Sequence, residues 1–342
     1  MVRIWATFCL SGDRAKPLQV RYPLEKLKIR FVDFWAEMNQ REGNFFYQLL
    51  SEKYELEISD DPEIIFYSCY GNEYLKYNCL RIFYSAENWR PDFTGCDFAI
   101  TFDYNEDPRH FRLPLWALYY TSYVKQHGFP ALDDELSEQE LVRRWNEKSK
   151  FCCFIVSNPK AKKRVEFFQR LNKVKTVDSA GKHLNNIGYF LDGGTFGKMD
   201  FIKDYRFVIS FENSSSVGYT TEKLIEPLLV GAIPIYWGNP AVAKEFNKKR
   251  ILYYDDFPTE EALIEKILKI ENDPQEAVNI LKEKVFAGEK FNITRAGSEL
   301  LEFLVSSIEC RHKKKPVAQR RLISMRHYYK MKLDKVINRL GI

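Results

Sequence analysis

Apolar positions along this chain change period several times, and the changes divide it into units. From residue 27, Leu27, Ile29 and Phe31 alternate with polar neighbours, the two-residue period of a half-buried strand. Residues 44–54 then read as a helix and Glu55–Ser59 as a second strand. Three continuous apolar runs follow, "PEIIFYS", "CLRIFYSAEN" and "CDFAITFD", too short for helices and bounded by turn residues. Strands without alternation are buried on both faces, so the order strand, helix, strand implies a mostly parallel sheet covered by helices.

Residues 131–150 lose hydrophobicity and gain charge, and are expected to be a linker or excursion, helical in part, that closes an N-terminal domain of residues 1–150. The pattern then restarts. "FCCFIVSNP" is a strand stopped by Asn-Pro, and Val165, Phe168, Leu171 and Val174 carry the 3.6-residue period of a helix. Phe207–Phe211, a helix from about Thr220, the strand "IPIYWG" and helices at 259–273 and 276–286 complete a second Rossmann-like domain, residues 151–310. The fold class is α/β, with two such domains and a basic C-terminal segment, 311–342. Ligands of such sheets bind at the carboxyl ends of strands.

With 342 residues the chain is long enough for two cores, and its 45% hydrophobic content excludes a largely disordered protein. The apolar run Ile4–Leu10 reads as neither a signal peptide nor a membrane span. Seven cysteines, an odd number that includes the adjacent Cys152 and Cys153, read as reduced thiols of a cytosolic protein. Scattered histidines and the lack of a Cys-x-x-Cys pair give a structural zinc site no support.

Charge is unevenly placed. Residues 311–342 carry net +10, which leaves −5 for the rest of a chain whose total is +5. Within that segment Leu322, Met325, Tyr329, Leu333, Val336 and Leu340 recur at helical spacing, with Arg320, Arg321, Arg326, Lys330, Lys335 and Arg339 flanking or lying between them. This is a cationic amphipathic helix, expected to lie on an anionic membrane surface; the plainer reading packs its stripe on the protein. A peripheral position on the inner face of the cytoplasmic membrane follows from the first reading.

Chemistry is suggested by misplaced cations. Helix N-termini are already positive, yet one helix opens with Lys162, Lys163 and Arg164 and another with Lys223. Two such turns at the ligand edge suggest a shared anion, most economically a diphosphate. Neither turn is a P-loop or a Gly-x-Gly-x-x-Gly, and the small residues Ser214, Ser215, Ser216 and Gly218 suit either close ligand approach or a plain loop. Pro227 is expected to kink the helix from Thr220 and free a carbonyl, unless the helix begins later.

"FVISFENSSSVGYTTEKLIEPLLVGAIPIYWGNPAVAKEFN" resembles the donor-binding signature of the bacterial α-1,3/4-fucosyltransferases, glycosyltransferase family 10. "IFYSAENWRPDF", "CDFAITFDYNEDPRHFRLPLW" and "VSNPKAKKRVEFFQRLN" resemble further segments of that family in the same order, and the resemblance spans roughly residues 27–305. It implies a GT-B arrangement, two Rossmann-like domains facing across a cleft, and inverting transfer of L-fucose from GDP-β-L-fucose to the GlcNAc hydroxyl of N-acetyllactosamine-type acceptors, a Lewis x type product. α-1,4 or dual specificity on type 1 chains is the alternative. By the same resemblance Arg164 and Lys223 hold the diphosphate, Tyr219, Glu222 and Asn213 line the donor, and Glu87 is the general base, with Glu222 a second catalytic candidate that stabilises charge on the sugar. Trp89 is expected to stack on the acceptor.

No cofactor is expected, since cations can stabilise the departing diphosphate without a metal. The rival enzyme reading uses the acidic run "DYNED" at 103–107 as a metal site. A non-catalytic protein whose basic tail binds nucleic acid is a rival of another class, and it leaves the second-domain signature unexplained. No nucleic-acid partner is therefore expected.

Overall fold

A computed structural model describes residues 24–35, 44–132, 136–156, 162–191, 194–289 and 291–340, without side chains for 194–196 and 334–340. Cys9, the Ile4–Leu10 run and the Asn158-Pro159 stop lie outside the described residues.

The chain forms two compact units that are not consecutive in sequence. The first begins with β1 (Glu25–Val32), α1 (Phe45–Leu50), β2 (Tyr54–Ile58), β3 (Ile64–Tyr67), β4 (Leu80–Tyr84), β5 (Phe98–Thr101) and β6 (His110–Arg112). Its sheet has the order β2-β1-β3-β4-β5-β6, every pair parallel. The continuous runs of β3 and β4 are buried on both faces, which is why they do not alternate, whereas Leu27 and Ile29 of β1 alternate with exposed neighbours. Asn44 caps α1 by accepting from the Phe46 amide at 2.9 Å.

The second unit, residues 114–291, contains α2 (Leu115–His127), α3 (Glu138–Glu147), β7 (Lys150–Phe154), α4 (Lys162–Val174), β8 (Asp178–Ser179), α5 (Gly194–Ile202), β9 (Tyr205–Phe211), α6 (Glu222–Leu229), β10 (Ile233–Trp237), β11 (Leu252–Tyr253), α7 (Glu260–Asn272) and α8 (Pro274–Leu281). Its parallel sheet runs β11-β10-β9-β7-β8. The expected boundary near residue 150 is therefore displaced to Pro114. The polar stretch 131–150 contains α3, capped by Ser137, whose Leu141 and Trp145 enter the second core, Trp145 edge-on to Phe207 with ring centroids 5.7 Å apart. Its charge belongs to the exposed face, where Arg143 and Arg144 pair with Glu140 at 2.7 Å.

The chain then returns to the first unit through α9 (Ile293–Glu309) and α10 (Arg321–Leu340). Phe303 of α9 meets Phe98 and Phe111, Arg311 pairs with Glu25 and Glu63, and the Val317 amide donates to Asp97 at 2.8 Å. Residues 311–331 are thus not a separate tail. On α10, His327 is buried, 2.6 Å from the Tyr74 hydroxyl and 3.1 Å from Thr94 Oγ1, and Lys330 pairs with Asp92 at 2.7 Å. A Cβ on Gly95 would lie 2.3 Å from the His327 ring, so only glycine admits this approach. The six described cysteines form no disulfide, and among the described residues no helix is long and apolar enough to cross a membrane.

Candidate functional site

At the carboxyl end of β9 the chain leaves the sheet through Glu212, which is fully buried. Its carboxylate accepts from the Thr221 amide and the Thr221 hydroxyl, both at 2.8 Å. Thr221 in turn caps α6, so one buried acid fixes where that helix begins. A Cβ on residue 238 would stand 2.4 Å from Glu212 Cγ, and Gly238 leaves that space free. The intervening loop is held by buried Asn239, which accepts from the Gly218 amide at 2.8 Å and donates to Thr220 Oγ1 at 3.0 Å. α6 begins at Glu222 and carries Pro227 within it, which excludes the late start that would have removed the conflict.

Lys223 in the first turn is compensated by carboxylates. Its Nζ lies 3.0 Å from Glu222 Oε1 and 3.5 Å from Glu212 Oε2, and donates to Thr221 Oγ1 at 3.2 Å. Burial alone would lower the ammonium's pKa, but Glu222 and Glu212 outweigh it and hold the group above its ordinary range. Burial pushes Glu222 up, and Lys223 followed by Lys198 overcomes this and holds it at about 2. In Glu212 burial dominates and raises the carboxyl, with Lys223 acting against it.

One helical turn on, buried Glu226 accepts from the Tyr123 hydroxyl at 2.8 Å and pairs with Lys198 of α5. Arg164, in the first turn of α4, is buried; burial lowers its pKa, and Glu212, Tyr219 and Glu222 act in the opposite direction. A small crevice is lined by Arg164, Lys198, Ser210, Lys223 and Glu226. Three cations thus converge where helix N-termini already favour an anion, and Lys198 and Lys223 are held by acids that fix their position before any ligand arrives.

Among the residues expected from sequence, Arg164, Tyr219, Glu222 and Lys223 come together here, with Tyr219 buried. Asn213 does not join their buried part: its side chain is exposed, and Asn239 is the asparagine that orders the loop. Glu212, Glu226, Lys198 and Tyr123 join the site without being singled out by the sequence pattern. Glu212 lies inside the quoted signature, and Glu226 follows Glu222 at the four-residue spacing that shares a helix face.

Glu87 stands beyond β4 in the first unit, half-buried, with its amide donating to Ser85 Oγ at 3.1 Å and its Oε1 accepting from the Tyr70 hydroxyl at 3.0 Å. Trp89 is 58% exposed. Within "DYNED", Asp103 pairs with Arg90 at 2.7 Å and Asp107 with Arg109 at 2.6 Å. Arg320, Arg321, Arg326 and Lys330 are exposed, and the side chains of Lys335 and Arg339 lie outside the described residues.

Two parallel-sheet units, one with cations gathered at helix N-termini on its ligand edge, define an α/β protein with a site suited to a phosphate-bearing ligand. Residues 29–119 match the α-(1,3)-fucosyltransferase FucT N-terminal domain and residues 145–285 the C-terminal domain of glycosyltransferase family 10 (fucosyltransferase). The chain belongs to the glycosyltransferase family 10 fucosyltransferases. It is 30% identical over 273 residues to an α-(1,3)-fucosyltransferase of Helicobacter pylori, covering 70% of this chain and 56% of that protein. It is 32% identical over 116 residues to α-(1,3)-fucosyltransferase B of Drosophila melanogaster, covering 31% of this chain and 26% of that one. The chain thus spans about half, or less, of the length of these relatives. A crystal structure of α1,3-fucosyltransferase with GDP-fucose is similar at a TM-score of 0.67 and 26% identity, over 86% of this chain and 94% of that one. Another, of α1,3-fucosyltransferase alone, reaches 0.71 at 26% identity, over 90% and 95%.

Proposed function

We propose that this chain is an inverting α-1,3-fucosyltransferase that moves L-fucose from GDP-β-L-fucose to the GlcNAc hydroxyl of N-acetyllactosamine-type acceptors, giving a Lewis x type product. The observation that carries the reading is the preorganised set Arg164, Lys198 and Lys223 at the β9–α6 edge of a family 10 chain. In the displacement the acceptor oxygen attacks the anomeric carbon, its proton passes to the Glu87 carboxylate, and the bond to phosphate breaks with its electron pair leaving on GDP. Arg164 and Lys223 neutralise that developing charge in a site they already occupy, which is where electrostatic catalysis gains most. Tyr219 and Glu222 line the donor, Glu222 facing the positive charge that builds on the sugar ring, and Asn213 reaches the donor from the exposed rim of the loop. Trp89 stacks on the acceptor. These cations do the work a divalent metal would otherwise do, so no cofactor is required.

The test is transfer from GDP-fucose to N-acetyllactosamine in EDTA, followed by GDP release and product mass. A fucosylated trisaccharide is expected; activity lost in EDTA and restored by a divalent cation would overturn the metal-free reading. Absence of both product and GDP binding would overturn the donor assignment.

The exposed face of α10 supports a peripheral position on the inner face of the cytoplasmic membrane. Leu322 is 83% exposed, Tyr329 61% and Leu333 59%, with Arg321, Arg326, Lys330 and Lys332 exposed around them. Removing everything after residue 310 would also remove Arg311, Val317 and His327 from the first unit, so substitution of the exposed face is the cleaner experiment. Replacing Leu322, Tyr329 and Leu333 together by Gln is expected to lower partitioning onto anionic vesicles at least 10-fold, since each apolar side chain contributes about 1 kcal/mol or more at the interface, with transfer in solution unchanged. Undiminished vesicle binding would refute the assignment.

A further inference from the structure

The register of the first sheet brings together residues from three separate loops. β1 pairs with β3 through Val32 and Tyr67, and β3 with β4 through Tyr67 and Phe83, so the carboxyl ends of these strands stand level. Trp35, Tyr70 and Glu87 each follow the last residue of their strand, Val32, Tyr67 and Tyr84, by three positions. The two loops beside Tyr70 are joined: its amide donates to Asp33 O at 3.1 Å, and the Asp33 carboxylate accepts from the Glu73 and Tyr74 amides, both at 2.9 Å. The Trp35 ring meets Tyr70 edge-on, centroids 6.0 Å apart at 82°. Tyr70 nevertheless leaves 52% of its surface in solvent beside the Glu87 carboxylate, and Trp89, two residues after Glu87, leaves 58%. Aromatic faces fixed by backbone bonds but left uncovered next to an acid suit a ligand with both apolar C–H faces and hydroxyls, as a pyranose has.

We propose that Tyr70 is the positioning residue for Glu87 and, with Trp35 and Trp89, forms the wall on which the acceptor sugar stacks. The inference rests on the reading of Glu87 as the base. The Tyr70 hydroxyl occupies Oε1 at 3.0 Å and leaves Oε2 to the acceptor proton, which fixes the carboxylate in one orientation. Burial and the neighbouring Glu87 charge both push the phenol above its ordinary pKa, so it stays a donor. The ring serves a second purpose, as part of the wall, and two substitutions separate these roles.

The experiment is steady-state kinetics of the full chain with GDP-fucose and N-acetyllactosamine, on the wild type, Tyr70→Phe, Tyr70→Ala and Glu87→Gln. Tyr70→Phe keeps the ring and is expected to lower kcat about 10-fold with acceptor KM within about two-fold, the signature of a group that acts on the reacting geometry. Tyr70→Ala adds about a 10-fold rise in acceptor KM, with donor KM unchanged in both. Intrinsic fluorescence titrated with N-acetyllactosamine reads the wall independently of turnover, and the quench is expected to fall in Trp35→Phe and Trp89→Phe. Wild-type kcat in Tyr70→Phe overturns the positioning role. Unchanged acceptor KM in Tyr70→Ala, with the quench intact in both tryptophan variants, overturns the wall. Turnover retained in Glu87→Gln overturns the base reading itself and the positioning role with it, whereas an inactive Glu87→Gln beside an unaffected Tyr70→Phe overturns only the latter.

Discussion

Glu87→Gln is expected to reduce transfer by about 10²- to 10⁴-fold, the range that general-base catalysis contributes. The amide keeps the shape of the side chain and an oxygen for the Tyr70 hydroxyl, and the backbone bond from residue 87 to Ser85 is untouched, so the loop should stay folded. What disappears is the only function an amide cannot perform here, taking a proton from the attacking hydroxyl. Donor binding should be unaffected, because Glu87 follows β4 in the first unit, whereas Arg164, Lys198 and Lys223 belong to the second unit. Single-turnover kinetics and calorimetry with GDP check the two halves separately. A large loss of GDP affinity would place Glu87 against the donor, and near-normal turnover would assign the proton to another group.

The parts of this architecture that were legible share a cause: they are local. Continuous apolar runs identified β3, β4 and β9 because strands covered on both faces need no alternation. Lys223 stood out because a cation in the first turn of a helix conflicts with the dipole of that same helix, a conflict visible within a few residues. The compensation was not visible in the same way. Glu212 reaches Lys223 from the end of the preceding strand, and Lys198 reaches Glu226 from another helix, so both relations exist only once the second sheet has formed. Asn213 and Asn239 show the limit well: each stands beside the signature's structured parts, but only Asn239 is buried with both ends of its amide engaged.

The unit boundaries failed for a related reason. Low hydrophobicity over 131–150 reflects the solvent face of α3, whereas two side chains, Leu141 and Trp145, decide which core it joins. On α10 the regular stripe drew attention, but Leu322, Tyr329 and Leu333 of that stripe are exposed. Docking falls to His327 and Met331, off the stripe, through the Tyr74 hydroxyl, and contacts more than 200 residues apart leave no periodic trace. The exposed stripe and the docked polar edge together leave a helix anchored on one side and free on the other.

Lys223→Met is expected to injure the second unit more than any other single change at its ligand edge. Glu212 is fully buried and Glu222 partly buried, and Lys223 lies between them as their shared counter-ion. Removing one partner of a buried ion pair while the acid remains costs about 3–5 kcal/mol, most of it the uncompensated charge, and here it falls chiefly on the fully buried Glu212, since Glu222 keeps Lys198. Denaturant midpoints should fall accordingly. The acid limb should change as well. Glu222 is held at about 2 against an ordinary glutamate value of 4.5, so its contribution to stability is complete above about 4.5 and is lost as the pH falls towards 2. Without Lys223 only Lys198 and a backbone hydrogen bond remain to depress it, and the variant's stability should vary less over that window. GDP affinity should drop about 10- to 100-fold, as expected when a charge-assisted contact to phosphate is lost. Adding Glu212→Gln to Lys223→Met should recover part of the stability, because one stranded charge is gone, but none of the GDP affinity, because the cation is still missing. That divergence separates the two roles of the lysine. A variant that kept both its denaturation midpoint and its affinity for GDP would show that the first-turn cation serves neither the fold nor the donor.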